Sequence, residues 1–282
     1  MGGTRLVVFT DLDGTLLRHE DYAWAAARPA LDALALRGVP LVLTSSKTRA
    51  EVESWRVRLD NHDPFIVENG AALFVPEGPL AERFERVPPA PTRADGFLRV
   101  EFGARYDALR RALPQLAERL GVPLRGFGDM GRAEVERLTG LHGPDLARSL
   151  AREYDEPFLP ARELTAAEWN RLAREAEALG FRTTRGGRYH HLHGESSKGR
   201  AARHLMAALE GDGGTVVSLG VGDGPNDAPL LLATTEAAIV AKPDGTHDAA
   251  LASAVPTARK TGGAGPIGFT EAVLAFLEAH AG

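Results

Sequence analysis

Thr10-Asp11-Leu12-Asp13-Gly14-Thr15 follows directly on the apolar run Leu6-Val7-Val8-Phe9. The run is short, rich in β-branched and aromatic side chains, and ended by two carboxylates and a glycine. That pattern predicts a buried strand delivering Asp11 and Asp13 to a loop at its C-terminal end, the end at which open α/β sheets bind ligands. Side chains alternate along extended chain, so two aspartates one residue apart can stand close together and still take different roles. Close carboxylates repel unless a cation or a shared proton relieves them. Mg2+, which prefers carboxylate, carbonyl and water oxygens, would do so. One aspartate would then be placed to attack phosphorus while its neighbour handles protons. The same letters also fit a strand followed by an ordinary Asp-Gly turn, so the remainder of the chain decides.

Downstream, helical spacing over Pro29–Leu36 ends at Gly38, and Pro40–Thr44 reads as a second buried strand emptying into Ser45-Ser46-Lys47-Thr48. Hydroxyls and a lysine ahead of a helix over 49–59 suit a phosphate, since hydroxyls and helix N-terminal amides both donate; an ordinary N-cap would use the same residues. Phe65-Ile66-Val67 predicts a third strand, with Glu68-Asn69-Gly70 a turn into Ala71–Val75. From Pro76 to about Pro91 the composition turns to Pro, Gly, Glu and Arg, as in a linker. A segment with its own α/β alternation follows: a strand from Phe97 to Phe102, helices over 106–120, 134–138, 145–154 and 165–179, and strands at 181–184 and 188–192. Ser196-Ser197-Lys198-Gly199 then caps a helix through Leu209, and the strand 215–221 runs into Gly222-Asp223-Gly224-Pro225-Asn226-Asp227. A strand at 237–240 and a helix at 271–279 complete the chain.

Alternation of this kind predicts an α/β fold with a doubly wound parallel sheet, a Rossmann-like core, interrupted by a smaller inserted α/β domain. The expected division is 1–82 and 192–282 for the core and 83–191 for the insertion. With 282 residues, 44% of them hydrophobic, there is enough chain for both. The formal net charge of −5 argues against a general nucleic-acid partner. No stretch approaches the ~20 apolar residues of a membrane span, and no secretory pattern is evident, which leads to the expectation of a cytoplasmic monomer or homodimer. The absence of cysteine excludes disulfides, zinc-thiolate sites and cysteine nucleophiles. Four lysines against twenty-nine arginines, with four asparagines and one glutamine, suit a thermophile and a GC-rich genome equally well.

Four loops thus supply two aspartates, hydroxyls, a helix-borne amine and an acidic turn, in that order. This order resembles the haloacid dehalogenase (HAD) superfamily of phosphotransferases, on Asp11–Thr15, Ser45, Lys198 and Gly222–Asp227. The resemblance implies Asp11 as nucleophile, Asp13 as general acid/base, and Mg2+ held by Asp11, the main-chain carbonyl of Asp13, and Asp223. It also implies Ser45 on the phosphoryl group, Lys198 offsetting negative charge, and Asp227 with Asn226 in support behind them. Thr44 could take the hydroxyl role if the strand ends one residue earlier. An insertion after the second motif resembles the subgroup with a C2-type α/β cap, which selects the substrate. Within it the chain is similar to the mannosyl-3-phosphoglycerate phosphatases, on Ser46–Glu51, Pro64–Ala71, Gly126–Met130, Arg152–Phe158 and Arg185–Arg188. Thr-Ser-Ser-Lys replaces the Thr-Gly-Arg of many relatives in the wider subgroup.

What that similarity implies is Mg2+-dependent hydrolysis of a small phosphorylated sugar-glycerate. Glucosyl-3-phosphoglycerate or a sugar phosphate is the near alternative, and a phosphomutase or a non-catalytic sensor the distant ones. The expected substrate contacts are Ser46, Lys47, Asn69, Arg185, Gly187, Arg188 and His191, since a phosphate, a carboxylate and a sugar call for cations and hydrogen-bond donors. For Arg185–Arg188 a Gly-Gly hairpin turn with solvated arginines is the competing reading. His191 and His193 share a strand face, but no further ligand cluster completes a histidine metal site. Trp24, Trp55 and Trp169 read as packing groups.

Overall fold

The computed structural model describes residues 4–84, 88–185, 189–211 and 213–281. In chain order its strands are β1 (Thr4–Thr10), β2 (Leu41–Thr44), β3 (Phe65–Val67), β4 (Ala72–Pro76), β5 (Thr92–Ala94), β6 (Phe97–Glu101) and β7 (Leu124–Gly126). These are followed by β8 (Asp155–Pro160), β9 (Arg182–Arg185), β10 (His190–His193), β11 (Thr215–Gly222), β12 (Glu236–Ala241) and β13 (Arg259–Ala264). The chain divides into two compact units, one of Met1–Ser46, Leu59–Glu101 and Ser197–Gly282, the other of Lys47–Arg58 and Phe102–Ser196.

The first unit carries a nine-stranded sheet in the order β13-β12-β11-β1-β2-β3-β4-β6-β5. From β13 to β3 all neighbours are parallel, as the strand–helix alternation predicts. Val7, Val8, Phe9, Val42, Leu43, Phe65 and Ile66 have no exposed surface, which is why these strands read as unbroken apolar runs rather than as alternation. Beyond β3 the sheet turns antiparallel. The cause is local: only Glu68–Ala71 separates β3 from β4, too short for the dozen or more residues of a parallel crossover. The strand expected from Phe97 pairs with β4 in this sheet, and the division between the units falls after it, at Glu101.

The second unit packs a four-stranded antiparallel sheet, β7-β8-β10-β9, with helices that include Tyr106–Leu120 and Ala166–Ala178. Leu109, Leu113, Leu116 and Leu120 recur at helical spacing and form one core with Phe158, Leu172 and Leu192. Thr165 caps the helix 166–178 by accepting from the Glu168 amide, with Glu168 reaching back to close a capping box. Strand β8 is absent from the sequence reading, which runs a helix to Tyr154 and gives no strand at 155–160. Two acids and two prolines argue against a strand with neighbours on both sides, yet β8 sits between β7 and β10. Its acids are compensated inside the unit. Asp155 Oδ2 lies 2.8 Å from His191 Nδ1, and Glu156 accepts from Arg110 and from the Gly128 amide, both at 3.0 Å. No helix among the described residues is long and apolar enough to cross a membrane.

Candidate active site

Strand β1 runs into Asp11, whose amide still bonds to the Val221 carbonyl of β11 at 2.9 Å; the sheet therefore holds the backbone of Asp11 in place. A tight turn follows: Thr15 and Leu17 amides bond to the Leu12 carbonyl, and the Gly14 amide to the Leu17 carbonyl. Gly14 has φ +79°, and a Cβ there would stand 2.5 Å from Asp223 Oδ2. Only glycine both adopts that conformation and leaves room for the carboxylate. Asp13, half-buried, stands on this turn.

Ser197 opens the helix Lys198–Glu210 as its N-cap, which sets Lys198 at the first helical position with its side chain inside the protein. Lys198 is 1% exposed and donates to Asp11 Oδ1 at 2.5 Å and to Asp227 Oδ1 at 2.6 Å. The other oxygen of Asp227 accepts from the amides of Asp223 and Gly224, both at 3.1 Å. Asp227 thus anchors the lysine to the turn that carries Asp223. Asp223 in turn accepts from Thr15 Oγ1 at 2.9 Å, a hydroxyl for which the sequence reading gives no role although it belongs to the first motif.

The electrostatics are those of a site short of positive charge. Burial raises the Asp11 carboxyl well above its ordinary range; Lys198 pulls it down, but Asp227, Asp223 and Asp13 push the same way as burial. Asp223 is raised to about 6, by burial first and by Asp227 second, against the Thr15 hydrogen bond and Lys198. For Lys198 burial opposes the charge, yet the two carboxylates outweigh it and its pKa rises. Asp11, Asp223 and Asp227 each offer an oxygen within 4.8 Å of the others. Three carboxylates against one ammonium leave surplus negative charge among oxygen donors, the donor set of a hard divalent cation.

The remaining expected residues divide by unit. Ser45 (1% exposed) and Ser46 belong with the first; the Ser45 carbonyl accepts from the Asn69 amide at 3.0 Å, and Asn226 donates to Asn69 Oδ1 at 3.4 Å. Thr44 is fully buried and bonds back to Val42, which leaves Ser45 as the hydroxyl at the strand end. Lys47, Arg185 and His191 belong with the second unit. Arg185 lies over the Trp169 ring, 4.7 Å from its centroid. His191 is held by Asp155, whose acidity is strengthened because His191 and Arg152 together outweigh its burial. His193 bonds to Thr184 and to the Gly194 carbonyl, so the two histidines have separate partners. Gly187 and Arg188 lie outside the described residues.

This fold and this acidic array define a haloacid dehalogenase-like hydrolase, and the profile of that family matches residues 8–82. The solved structures it is similar to include a haloalkanoate-superfamily phosphatase from Bacteroides thetaiotaomicron (TM-score 0.66, 15% identity, 98% of this chain and 95% of that one). A HAD subclass IIB sugar phosphatase is also similar (TM-score 0.63, 15% identity, 96% and 98%). A relative from Methanococcoides burtonii, a glucosyl-3-phosphoglycerate/mannosyl-3-phosphoglycerate phosphatase, is 35% identical over 95% of this chain and 96% of its own. A mannosyl-3-phosphoglycerate phosphatase from Pyrococcus horikoshii is 33% identical over 83% and 90%. The chain belongs to this phosphatase family.

Proposed function

We propose that the enzyme is a Mg2+-dependent phosphatase that converts mannosyl-3-phosphoglycerate to mannosylglycerate and phosphate. The observation that carries the reading is that similarity to phosphatases named for mannosyl-3-phosphoglycerate, alone or together with glucosyl-3-phosphoglycerate, extends over 83% and 95% of the chain, beyond the motifs that every HAD phosphatase shares. The inserted domain is assigned the choice of substrate, with Arg185, Gly187, Arg188 and His191 as its polar contacts, and with Ser46 and Lys47 supplying others.

Asp11 is the nucleophile. Lys198 stays protonated and holds one Asp11 oxygen, which opposes the effect of burial on that carboxyl and orients it for in-line attack on phosphorus. Ser45 donates to the phosphoryl oxygens. Asp13 gives a proton to the leaving glycerate oxygen and then takes one from the water that hydrolyses the aspartyl-phosphate. Mg2+, when bound, neutralises phosphoryl charge; Asp11, Asp223 and the Asp13 carbonyl would hold it, with Asp227 and Asn226 supporting the turn behind.

A linked pH effect follows from Asp223. Its folded pKa of about 6 exceeds the ordinary carboxylate value, so the metal-free protein binds extra protons there. On this account its stability rises as pH falls from about 6 toward 4, and this group contributes no further pH dependence once pH is well above 6. Mg2+ competes with those protons. Saturating Mg2+ is therefore expected to raise the melting temperature by about 5 °C at pH 7.5 and by much less at pH 5. Thermal melts with Mg2+ and with chelator check this, and a rise independent of pH would exclude Asp223 as a ligand.

The substrate is tested by phosphate release from mannosyl-3-phosphoglycerate, glucosyl-3-phosphoglycerate, 3-phosphoglycerate, mannose 6-phosphate and sucrose 6-phosphate. The expected result is that the first exceeds the plain sugar phosphates in kcat/KM by at least about 100-fold, because a substrate without the glycerate carboxylate forgoes the charge-assisted hydrogen bonds that the proposed cationic contacts would make to it. Equal, slow turnover of all five would leave a phosphatase and remove the substrate assignment.

A further inference from the structure

Glu68, Asn69 and Gly70 have φ of +44°, +58° and +91° in succession. Two of the three are not glycine, and Glu68 is 2% exposed. Ordinary residues hold this left-handed conformation only where their surroundings impose it. The surroundings here are the other catalytic loops of the same unit. The Asn69 amide donates to the Ser45 carbonyl at 3.0 Å, and the Ser45 amide donates to Ile66 of β3 at 3.0 Å. A Cβ on Gly70 would lie 2.1 Å from the Ser197 carbonyl carbon and 2.5 Å from the Lys198 nitrogen, so the turn's backbone sits directly against the first turn of the lysine helix. Its third neighbour is the Asn226 amide. One turn therefore abuts the second, third and fourth motif loops.

We infer that Glu68-Asn69-Gly70 is a positioning element of the reaction. Its left-handed backbone sets the distance between the Ser45 loop and the helix that carries Lys198, and Asn69 acts through its backbone conformation rather than through a contact with substrate. This rests on the phosphatase reading of the site and departs from the expectation that Asn69 binds substrate. Asparagine, aspartate and glycine tolerate the left-handed region, whereas alanine resists it, which separates backbone from side chain experimentally.

The experiment measures kcat, KM and melting temperature for Asn69→Gly, Asn69→Asp and Asn69→Ala, with mannosyl-3-phosphoglycerate and with p-nitrophenyl phosphate. The glycine and aspartate variants are expected to keep kcat within about threefold. The alanine variant is expected to lose about tenfold or more in kcat on both substrates, with KM changed less than about twofold, because misplacing catalytic groups penalises the transition state. Loss of kcat in the glycine or aspartate variant as large as in alanine overturns the inference, as does an alanine variant with wild-type kcat. A loss confined to KM for the glycosyl substrate also overturns it, since it marks a direct contact. If the alanine variant does not fold, the glycine and aspartate variants still decide. A wild type active only on p-nitrophenyl phosphate refutes the substrate assignment and leaves this comparison standing.

Discussion

Asp11→Asn is expected to lower phosphate release by at least about 10⁴-fold while the protein stays folded. An amide oxygen is a poor nucleophile, and the sheet places no other carboxylate at the end of β1 with its backbone bonded to β11. The fold is expected to survive because an asparagine oxygen still accepts from Lys198, and because one negative charge leaves a site where Asp227, Asp223 and Asp13 already repel Asp11. The melting temperature of metal-free Asp11→Asn at pH 7.5 should accordingly equal or exceed that of the wild type. Asp13→Asn provides the internal comparison. Loss of a general acid/base costs about 10² to 10⁴, and a substrate with a good leaving group should recover part of it. Measuring both variants by steady-state and single-turnover phosphate release separates the roles. An Asp11→Asn enzyme with normal turnover would remove the covalent mechanism.

Lys198→Met should be the most destabilising single change in the catalytic unit. It strips the ammonium from two buried carboxylates, Asp11 and Asp227, and breaking such a pair from one side costs about 3–5 kcal/mol. The deficit should depend on pH in a definite direction. Without Lys198 the Asp11 carboxyl, which burial already raises, loses the charge that pulls it down, so the folded state binds more protons and stability rises as pH falls from 7 toward 5. Wild type should show a weaker form of that dependence, because Lys198 offsets part of the burial and repulsion that raise the Asp11 carboxyl. Adding Asp227→Asn should restore much of the stability and none of the activity, which separates the structural from the chemical role of the lysine. Urea titrations between pH 5 and 8 read all of this. A Lys198→Met deficit independent of pH would mean that the carboxylates are not what the lysine compensates.

The legibility of this protein follows the physics of each signal. Asp11, Asp13, Lys198, Asp223 and Asp227 are readable because strand ends and helix starts mark themselves: a β-branched run stops, a serine caps, a glycine turns. The helices 49–59 and 106–120 are readable to the residue, since apolar spacing and flanking glycine or hydroxyl agree. Strand β8 is not, because Asp155, Glu156, Pro157 and Pro160 are each poor strand residues whose cost is met by His191, Arg110 and the Gly128 amide, all distant in sequence. The antiparallel edge from β4 to β5 is half readable, since Glu68–Ala71 is too short for a crossover but nothing local says that residues 97–101 return to pair with β4.

By itself, then, the sequence determined the α/β class, the order of the four motif loops, the acid-amine inventory of the site and the family. Those depend on local pattern and residue type. Tertiary structure alone decided that Lys198 bridges Asp11 to Asp227, that Thr15 holds Asp223, and that the left-handed turn at Glu68-Asn69-Gly70 backs on the lysine helix. Each of these joins groups far apart in the chain, where distance and burial, rather than composition, set the charge a side chain carries and the conformation a backbone keeps.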